Sequence, residues 1–301
     1  VDLSIEEIEG VIKKTNGCMV WGGALNLAPA DDLFIQVEYP LSIDPLLLPS
    51  IMSKKKAMGT DCLVVDLPAG RGAKIKTIGE AHELARDFME LGRRLNIKVE
   101  CAVTSGEQPV GRAVGPALEA REALSTLMGE GSRDLRDKAV SLAGILLEMV
   151  GVRRGKDKAL KIIGSGKAEK KLREIIEAQG GNPEVRPEEI ETGDHISEVR
   201  SEEGGAVLWI DNHSIAQIAR AAGAPKDKGA GVLLKAKIGD HIERRGAIFE
   251  VYAENASKLE SALSLAQSSR PIGIGDRLGE NMLIDRIPAK KRHERFFFIE
   301  R

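Results

Sequence analysis

The sequence predicts an α/β protein with a parallel-sheet core, followed by a small α+β module. Residues 62–67 are apolar except for Asp66, and such a run is typical of a strand buried on both faces of a parallel sheet. A glycine-rich loop, an amphipathic helix over 81–95 and a second strand over 97–104 follow in that order. This order is a βαβ unit with a right-handed crossover. From about residue 195 onwards short strands predominate, which indicates a second module.

Caps and apolar spacing predict the other elements of the first part. Ser4 and Glu7 form a capping box that starts the first helix. Pro45 occupies a position typical of the first helical residue, and the helix that it starts runs to Met58. The remaining predictions are a strand at 18–21 and helices at 116–127, 133–149 and 168–179.

The acidic stretch 187–194 is predicted to be a linker between the two parts. We therefore expect an α/β domain over 1–190, with a helical-domain piece at about 40–58, a C-terminal α+β domain over 191–272 and a tail over 273–301. The elements predicted in the second part are strands at 206–210, 232–237 and 247–253 and helices at 214–222 and 256–267.

Composition excludes several classes of function. The chain has 301 residues, of which 42% are hydrophobic and 30% charged, so a packed protein is expected. Aromatic residues are 3% and the net charge is −2, which argues against a nucleic-acid polymer as partner. No apolar run is long enough to span a membrane. Cys18, Cys62 and Cys101 have no metal-site spacing, and this usage favours a reducing cytoplasm.

The loop Gly70-Arg71-Gly72-Ala73-Lys74 is the first candidate for chemistry. It follows a predicted parallel strand, where ligands favour the carboxyl end. Glycines allow the backbone to approach a phosphate or ribose closely, and the two cations attract anions. It lacks the GK[ST] of a nucleotide-binding P-loop, and an ordinary βα loop is the alternative. The five histidines show no metal-ligand spacing and no catalytic set.

Ser50 and Lys54 are the second candidate, because residues four apart project from one face of a helix. A hydroxyl and an ammonium there could bind the polar edge of a small ligand, while a solvated basic face is the alternative.

Asp44 is the third candidate. It is either the N-cap before Pro45 or a general acid, and the two roles conflict because a cap favours the anion.

Five ordered segments together resemble the thymidine/pyrimidine-nucleoside phosphorylase family, most closely its archaeal branch. The resemblance covers the chain to about residue 272, and it implies the parallel-sheet core of these phosphorylases with part of their helical domain. The segments are 24–31, 50–59, 66–74, 108–111 and 115–123.

The resemblance implies a reaction. The family's archaeal branch cleaves the N-glycosidic bond of nucleoside 5′-monophosphates, AMP and also CMP and UMP, with inorganic phosphate as co-substrate. The products are the free base and ribose 1,5-bisphosphate. No metal or organic cofactor is implied, and a homodimer or larger homo-oligomer is expected. Such a reaction belongs to AMP catabolism and nucleotide salvage.

Matched position by position, the resemblance implies that Asp44 is the proton donor and that Ser50 and Lys74 bind substrate. Lys54 matches the lysine that contacts the base in nucleoside-specific relatives. Val37 stands near the position where those relatives have an arginine, which argues against a thymidine-specific enzyme. The segment between Asp44 and Ser50 is about two residues shorter than expected.

The family's phosphate-binding glycine motif would precede Val1, so we expect the chain to be an N-terminally truncated piece of a longer protein. Two alternatives remain. One is a thymidine or pyrimidine-nucleoside phosphorylase. The other is a truncated scaffold without activity.

Overall fold

The computed structural model describes residues 3–20, 30–31, 33–34 and 46–275. Helix α1, Ile5–Thr15, begins with the predicted capping box. The Glu7 amide donates to Ser4 Oγ at 3.3 Å, and the Ser4 amide donates to Glu7 Oε2 at 2.8 Å. Each side chain thereby satisfies an amide that the helix itself leaves unpaired, so the predicted start of this helix is confirmed.

The predicted βαβ unit is confirmed and follows helix α2, Leu47–Ala57. Strand β1, Cys62–Ala69, runs parallel to strand β2, Lys98–Ser105, and helix α3, Ile78–Arg94, connects them. The register pairs the two strand ends, Ala69 with Ser105. Both carboxyl ends therefore lie at the same edge of the sheet, which is where the glycine-rich loop begins.

The core of this α/β part lies between the sheet and two helices. Phe88 on α3 and Met52 on α2 are almost completely buried. Thr77 caps α3 by accepting a hydrogen bond from the Glu80 amide at 3.1 Å. The other buried apolar residues of this cluster are Val65, Leu67, Ala81, Ala85 and Ile97.

A helical stretch follows a two-residue strand. Its elements are β3, Ala113–Val114; α4, Pro116–Met128; α5, Arg133–Met149; α6, Gly155–Gly164; and α7, Lys167–Ala178. Helix α6 was not predicted, because glycines stand at both of its ends. A Cβ on Gly155 would overlap the carbonyl of Gly144 on α5, so Gly155 serves the close packing of α5 and α6.

The strand predicted at 18–21 is wrong for its described residues, 18–20. The side-chain amide of Gln179 takes the place of a neighbouring strand there. Met19 N–H donates to Gln179 Oε1 at 2.6 Å, and Gln179 Nε2 donates back to the Met19 carbonyl at 2.7 Å. The backbone polar groups of Met19 are thus satisfied without a sheet.

A 3₁₀ turn at Pro187–Glu189 precedes the C-terminal module. Strand β4 was not predicted, although the alternation of its polar and apolar residues is typical of a half-exposed edge strand. The elements of the module are β4, His195–Arg200; β5, Gly205–Ile210; α8, Asn212–Ala221; β6, Gly231–Leu234; β7, His241–Ile242; β8, Ala247–Ala253; α9, Ala256–Ser269; and β9, Ile272–Gly275.

Two antiparallel sheets form the module, in the orders β3-β6-β8-β4 and β7-β5-β9. Phe249, Ile215 and Ile218 are among the fully buried residues between these sheets and their helices. Residues 273–275 of the predicted tail belong to β9, which pairs with β5. The rest of the tail, 276–301, lies outside the described residues.

Strand β3 lies in the sheet of the C-terminal module, although it precedes the α4–α7 helices in sequence. Val114 pairs with Val232, and the two strands approach each other without room for side chains at Gly115 and Gly231. A Cβ on Gly231 would overlap the Val114 carbonyl. The division of the chain at about residue 190 remains a prediction, but the second module shares a sheet with residues 113–114.

In the described part of the chain, the helices are all too short or too polar to cross a membrane.

The α/β core makes a prediction about stability. Phe88→Ala should lower the free energy of unfolding by about 3–5 kcal/mol, because it removes a buried ring and leaves a cavity. Met89→Ala on the same helix should cost less than about 1 kcal/mol, because Met89 is partly exposed. Urea titration of the full-length protein measures both. Equal losses of unfolding free energy in Phe88→Ala and Met89→Ala would contradict this description of the core.

Candidate functional site

A cavity of about 360 Å³ lies at the carboxyl ends of β1 and β2. Its walls come from six parts of the chain, and apolar side chains such as Ile51 and Phe88 form much of them. Lys74, Lys138 and Asn212 bring polar groups to it. A concave, mostly apolar site with a few convergent polar groups is the usual form of a small-molecule site.

The glycine-rich loop is a tight turn packed against the residues that follow β2. The Gly70 amide donates to the Ile75 carbonyl at 3.0 Å, and the Gly70 carbonyl accepts from the Ala73 amide at 3.0 Å. A Cβ on Gly70, where φ is 150°, would lie 2.9 Å from the Glu107 nitrogen. A Cβ on Gly106 would lie 2.5 Å from Ala73 Cβ. Glycine is therefore required at both positions for the two loops to touch.

The two cationic side chains of this loop, Lys74 and Arg71, lie in different environments. Lys74 lines the cavity, and the substrate-binding role that the resemblance implies for it stays a prediction. Arg71 is two-thirds exposed, and its Nε donates to Glu107 Oε2 at 3.1 Å. Gly70, Arg71 and Gly72 do not line the cavity, so the predicted phosphate or ribose contact by these three residues is still a prediction.

Lys138 and Asp66 form an ion pair beside the cavity. Lys138 Nζ lies 2.6 Å from Asp66 Oδ2, and Thr104 Oγ1 donates to the other carboxylate oxygen at 2.6 Å. The charge of Lys138 is therefore largely balanced by Asp66. A larger cavity of about 520 Å³ shares Lys138 and the loop after β2 with the first. We place the site in the smaller cavity, because Lys74 and Asn212 line it and not the larger one.

Asn212 ties the C-terminal module to the glycine-rich loop. It is the first residue of α8, which is capped by Asp211. Its Nδ2 donates to the carbonyls of Gly72 and Gly106, each at 3.2 Å. Its Oδ1 is buried and has no hydrogen-bond partner among the described residues. Sequence reasoning missed Asn212, although its place between a strand and a capped helix is a signal that could have found it.

Lys237 stabilises the second loop of the cavity, which follows β2 and contains the sequence Gln108-Pro109-Val110-Gly111. Its Nζ is buried and donates to the carbonyls of Pro109 and, at 2.6 Å, Gly111. It also lies 2.9 Å from Asp134 Oδ2. Burial raises the pKa of Asp134, but the Lys237 ammonium and the amides of Leu135 and Gly111 outweigh this and lower it overall.

Ser50 and Lys54 are brought together, as their spacing on a helix predicts. Both side chains project from α2 onto one acceptor, Asp31. They lie on the face next to that of Leu47 and Ile51, which line the cavity. Neither Ser50 nor Lys54 itself lines it. Sequence reasoning missed Asp31, because 19 residues separate it from Ser50 and no local pattern connects them.

Asp44 and Val37 lie outside the described residues, so the acid role of Asp44 stays a prediction. Helix α2 begins at Leu47, and Leu46 occupies its N-cap position without a side-chain hydrogen bond. The described helix thus begins two residues after the predicted start at Pro45, and Pro45 lies outside the described residues together with the cap predicted at Asp44. The described residues contain no cluster of His, Cys, Asp and Glu suited to a metal ion.

Fold and cavity together define a class: an α/β protein with a candidate small-molecule site at the carboxyl ends of parallel strands, followed by a C-terminal α+β module. Residues 206–273 match the model of the pyrimidine nucleoside phosphorylase C-terminal domain. This match supports the predicted identity of the C-terminal module.

The particular resemblance is to AMP phosphorylases. The enzyme of Thermofilum pendens is 51% identical over 287 residues, which are 95% of this chain and 56% of that protein. The AMP phosphorylase of Thermococcus kodakarensis is 52% identical over 293 residues, which are 95% of this chain and 57% of that protein. The AMP phosphorylase of Methanocaldococcus jannaschii is 51% identical over 294 residues, which are again 95% of this chain and 57% of that protein. The chain thus spans a little over half the length of the curated relatives it matches.

The resemblance found in five sequence segments is confirmed by these relatives, which extend it to nearly the whole chain. They do not favour the thymidine-specific alternative.

The ion pair between Lys237 and Asp134 predicts how the stability of the protein depends on pH. The pKa of Asp134 in the folded protein is below its unfolded value of about 3.9, so its stabilising effect is complete above that pH. It is lost as the pH falls through the folded pKa. Asp134→Asn should therefore destabilise the protein at about pH 7 and make little difference at the acid end of the transition.

Denaturant titrations of the full-length protein across this pH range measure the effect. Asp157→Asn is the control, because Asp157 forms an exposed ion pair with Arg154 one turn away on the surface. If the free energies of unfolding of the wild type and Asp134→Asn differ by the same amount at every pH, the role given to the charge of Asp134 is contradicted.

Proposed function

We propose that the protein is a phosphorylase of nucleoside 5′-monophosphates. AMP is the main substrate, CMP and UMP are related ones, and inorganic phosphate is the co-substrate. The observation that supports this most directly is the cavity at the carboxyl ends of β1 and β2. It combines Lys74 with a glycine-rich loop that Asn212 braces, in a chain similar to AMP phosphorylases.

The reaction exchanges one bond at the anomeric carbon. A phosphate oxygen attacks C1′, the bond from C1′ to the base nitrogen breaks, and its electron pair leaves with the base. A proton supplied to the leaving base completes the step, giving free base and ribose 1,5-bisphosphate. The protein must therefore hold two anionic substrates in line and keep a proton donor near the base.

Each proposed residue has one of these tasks. Lys74 binds the nucleotide from the cavity wall, where an ammonium attracts its phosphate or ribose oxygens. Ser50 and Lys54 bind the base from the adjacent helix face. Asp44 donates the proton. The apolar walls, including Phe88 and Ile51, exclude water and strengthen these electrostatic contacts.

No metal or organic cofactor is part of the proposal, because phosphate itself is the nucleophile. The proposal also includes a homodimer or larger homo-oligomer in the cytoplasm. The three cysteines are free thiols, as a reducing compartment favours.

The decisive assay incubates the full-length protein with phosphate and either AMP or thymidine. We expect release of adenine and formation of ribose 1,5-bisphosphate from AMP. Thymidine turnover without AMP turnover would overturn the proposal in favour of a nucleoside phosphorylase. Failure on every nucleotide and nucleoside would support an inactive scaffold.

Asp44→Asn tests the proton donor. The variant keeps the size of the side chain but cannot supply the proton, so kcat for AMP should fall by about a hundredfold or more. Unchanged activity would show that Asp44 is not the acid. Circular dichroism and thermal unfolding of the variant establish that it still folds.

Lys74→Ala tests the cavity cation. We expect the KM for AMP to rise by about tenfold or more, because a charge-assisted contact with the substrate is lost. Arg71→Ala is the matched control from the same loop. Its effect on KM should stay within about twofold, since its guanidinium is exposed and binds Glu107. Equal effects of the two substitutions would contradict the distinction drawn between these cations.

A further inference from the structure

Asp31 receives two hydrogen bonds on a single oxygen. Ser50 Oγ donates to Asp31 Oδ2 at 2.9 Å, and Lys54 Nζ lies 2.6 Å from the same atom. The carboxylate is only 10% exposed, while the Lys54 side chain is 34% exposed. A buried carboxylate thus holds the ends of two side chains that stand one turn apart on α2.

The charge state of Asp31 follows from this arrangement. Burial alone raises its pKa, but the hydrogen bonds from Lys54 and Ser50 and the charge of Lys54 outweigh burial and lower it overall. Asp31 is therefore ionised at neutral pH, and an ionised carboxylate only accepts hydrogen bonds. Ser50 must be the donor in its contact with Asp31.

This direction determines what the two side chains can offer a ligand. A serine hydroxyl has one proton, so Ser50 can meet a third group only with its oxygen lone pairs. An ammonium has three protons, so Lys54 still has N–H groups to donate after one is used for Asp31. The pair presents one acceptor and one donor, side by side.

We propose that Asp31 is a positioning residue that determines base specificity: it makes Ser50 an acceptor and Lys54 a donor toward a base that carries an amino group beside a ring nitrogen. The inference rests on the proposed function, which assigns Ser50 and Lys54 to the base. Adenine and cytosine both carry such an edge, whereas uracil presents an oxygen and a ring N–H instead, so UMP should be the weakest of the three substrates. The amino group donates to Ser50 Oγ, and the ring nitrogen accepts from Lys54 Nζ.

The test compares Asp31→Asn with Asp227→Asn in the full-length protein. Asp227 is a matched control, because it is a similarly buried carboxylate that binds a lysine, Lys258, in the C-terminal module away from the cavity. Asp31→Asn should raise the KM for AMP by about tenfold, the usual effect of losing one charged hydrogen bond. The KM for phosphate should stay within about twofold, and Asp227→Asn should change neither constant by more than that.

A substrate without the amino group gives the sharper readout. Purine riboside 5′-monophosphate differs from AMP only by the absence of that group. In the wild type its kcat/KM should be lower than that of AMP by about tenfold or more, because Ser50 loses its donor. In Asp31→Asn the ratio should fall to about threefold or less, since Ser50 is no longer committed as an acceptor. A general loss of structure would lower activity on both substrates without changing their ratio.

Three results would overturn the proposal: an unchanged ratio between the two substrates in Asp31→Asn, an equal rise in the KM for AMP and for phosphate, or equal effects of Asp31→Asn and Asp227→Asn. If the wild type does not phosphorolyse AMP, the proposed function fails separately. Crystal structures of the wild type and Asp31→Asn then decide the positioning role, which is overturned if Ser50 Oγ and Lys54 Nζ keep their places.

Discussion

The close contact between the loop after β1 and the loop after β2 is the constraint on which the site depends. The contact is possible because Gly70 and Gly106 lack side chains, and it is held by the Asn212 amide, which donates to a carbonyl on each loop. One side-chain amide thus satisfies a backbone acceptor on each loop and links the two loops. Lys74 reaches the cavity from a loop whose shape depends on this contact.

The cavity is therefore built jointly by the two parts of the chain. The α/β part supplies the strand ends and the apolar walls, whereas Asn212 and Lys237 of the C-terminal module hold the loops. Lys237 satisfies two loop carbonyls that have no strand partner, and its own charge is balanced by Asp134. A buried ammonium is tolerated in this place because its N–H groups and its charge are all matched.

Local patterns predicted those elements whose causes are local. The capping box at Ser4, the apolar run of β1 and the extent of the 133–149 helix follow from caps and periodicity within a few residues. The spacing of Ser50 and Lys54 likewise placed both on one helix face. For the same reason, Lys74 could be assigned to a loop at the carboxyl end of a parallel strand, where the cavity lies.

The features that sequence reasoning missed depend on contacts between distant residues. Helix α6 was missed, because the role of Gly155 in it is the close packing of α6 against α5. The strand expected near Met19 is absent because Gln179, which is 160 positions away, satisfies that backbone. Asn212 and Asp31 carry no local signature of their partners. Periodicity describes which face of an element is apolar, and it does not describe what that face meets.

Strand β3 has a consequence for the evolution of the protein. Its two residues complete the sheet of the C-terminal module, and the helices α4–α7 lie between them and the rest of that module in the sequence. Gene fusion or recombination that exchanged the module at the linker near residue 190 would leave its sheet without the edge that Val114 provides. The two parts of this chain must therefore be inherited together, or a recombined protein must rebuild the missing edge.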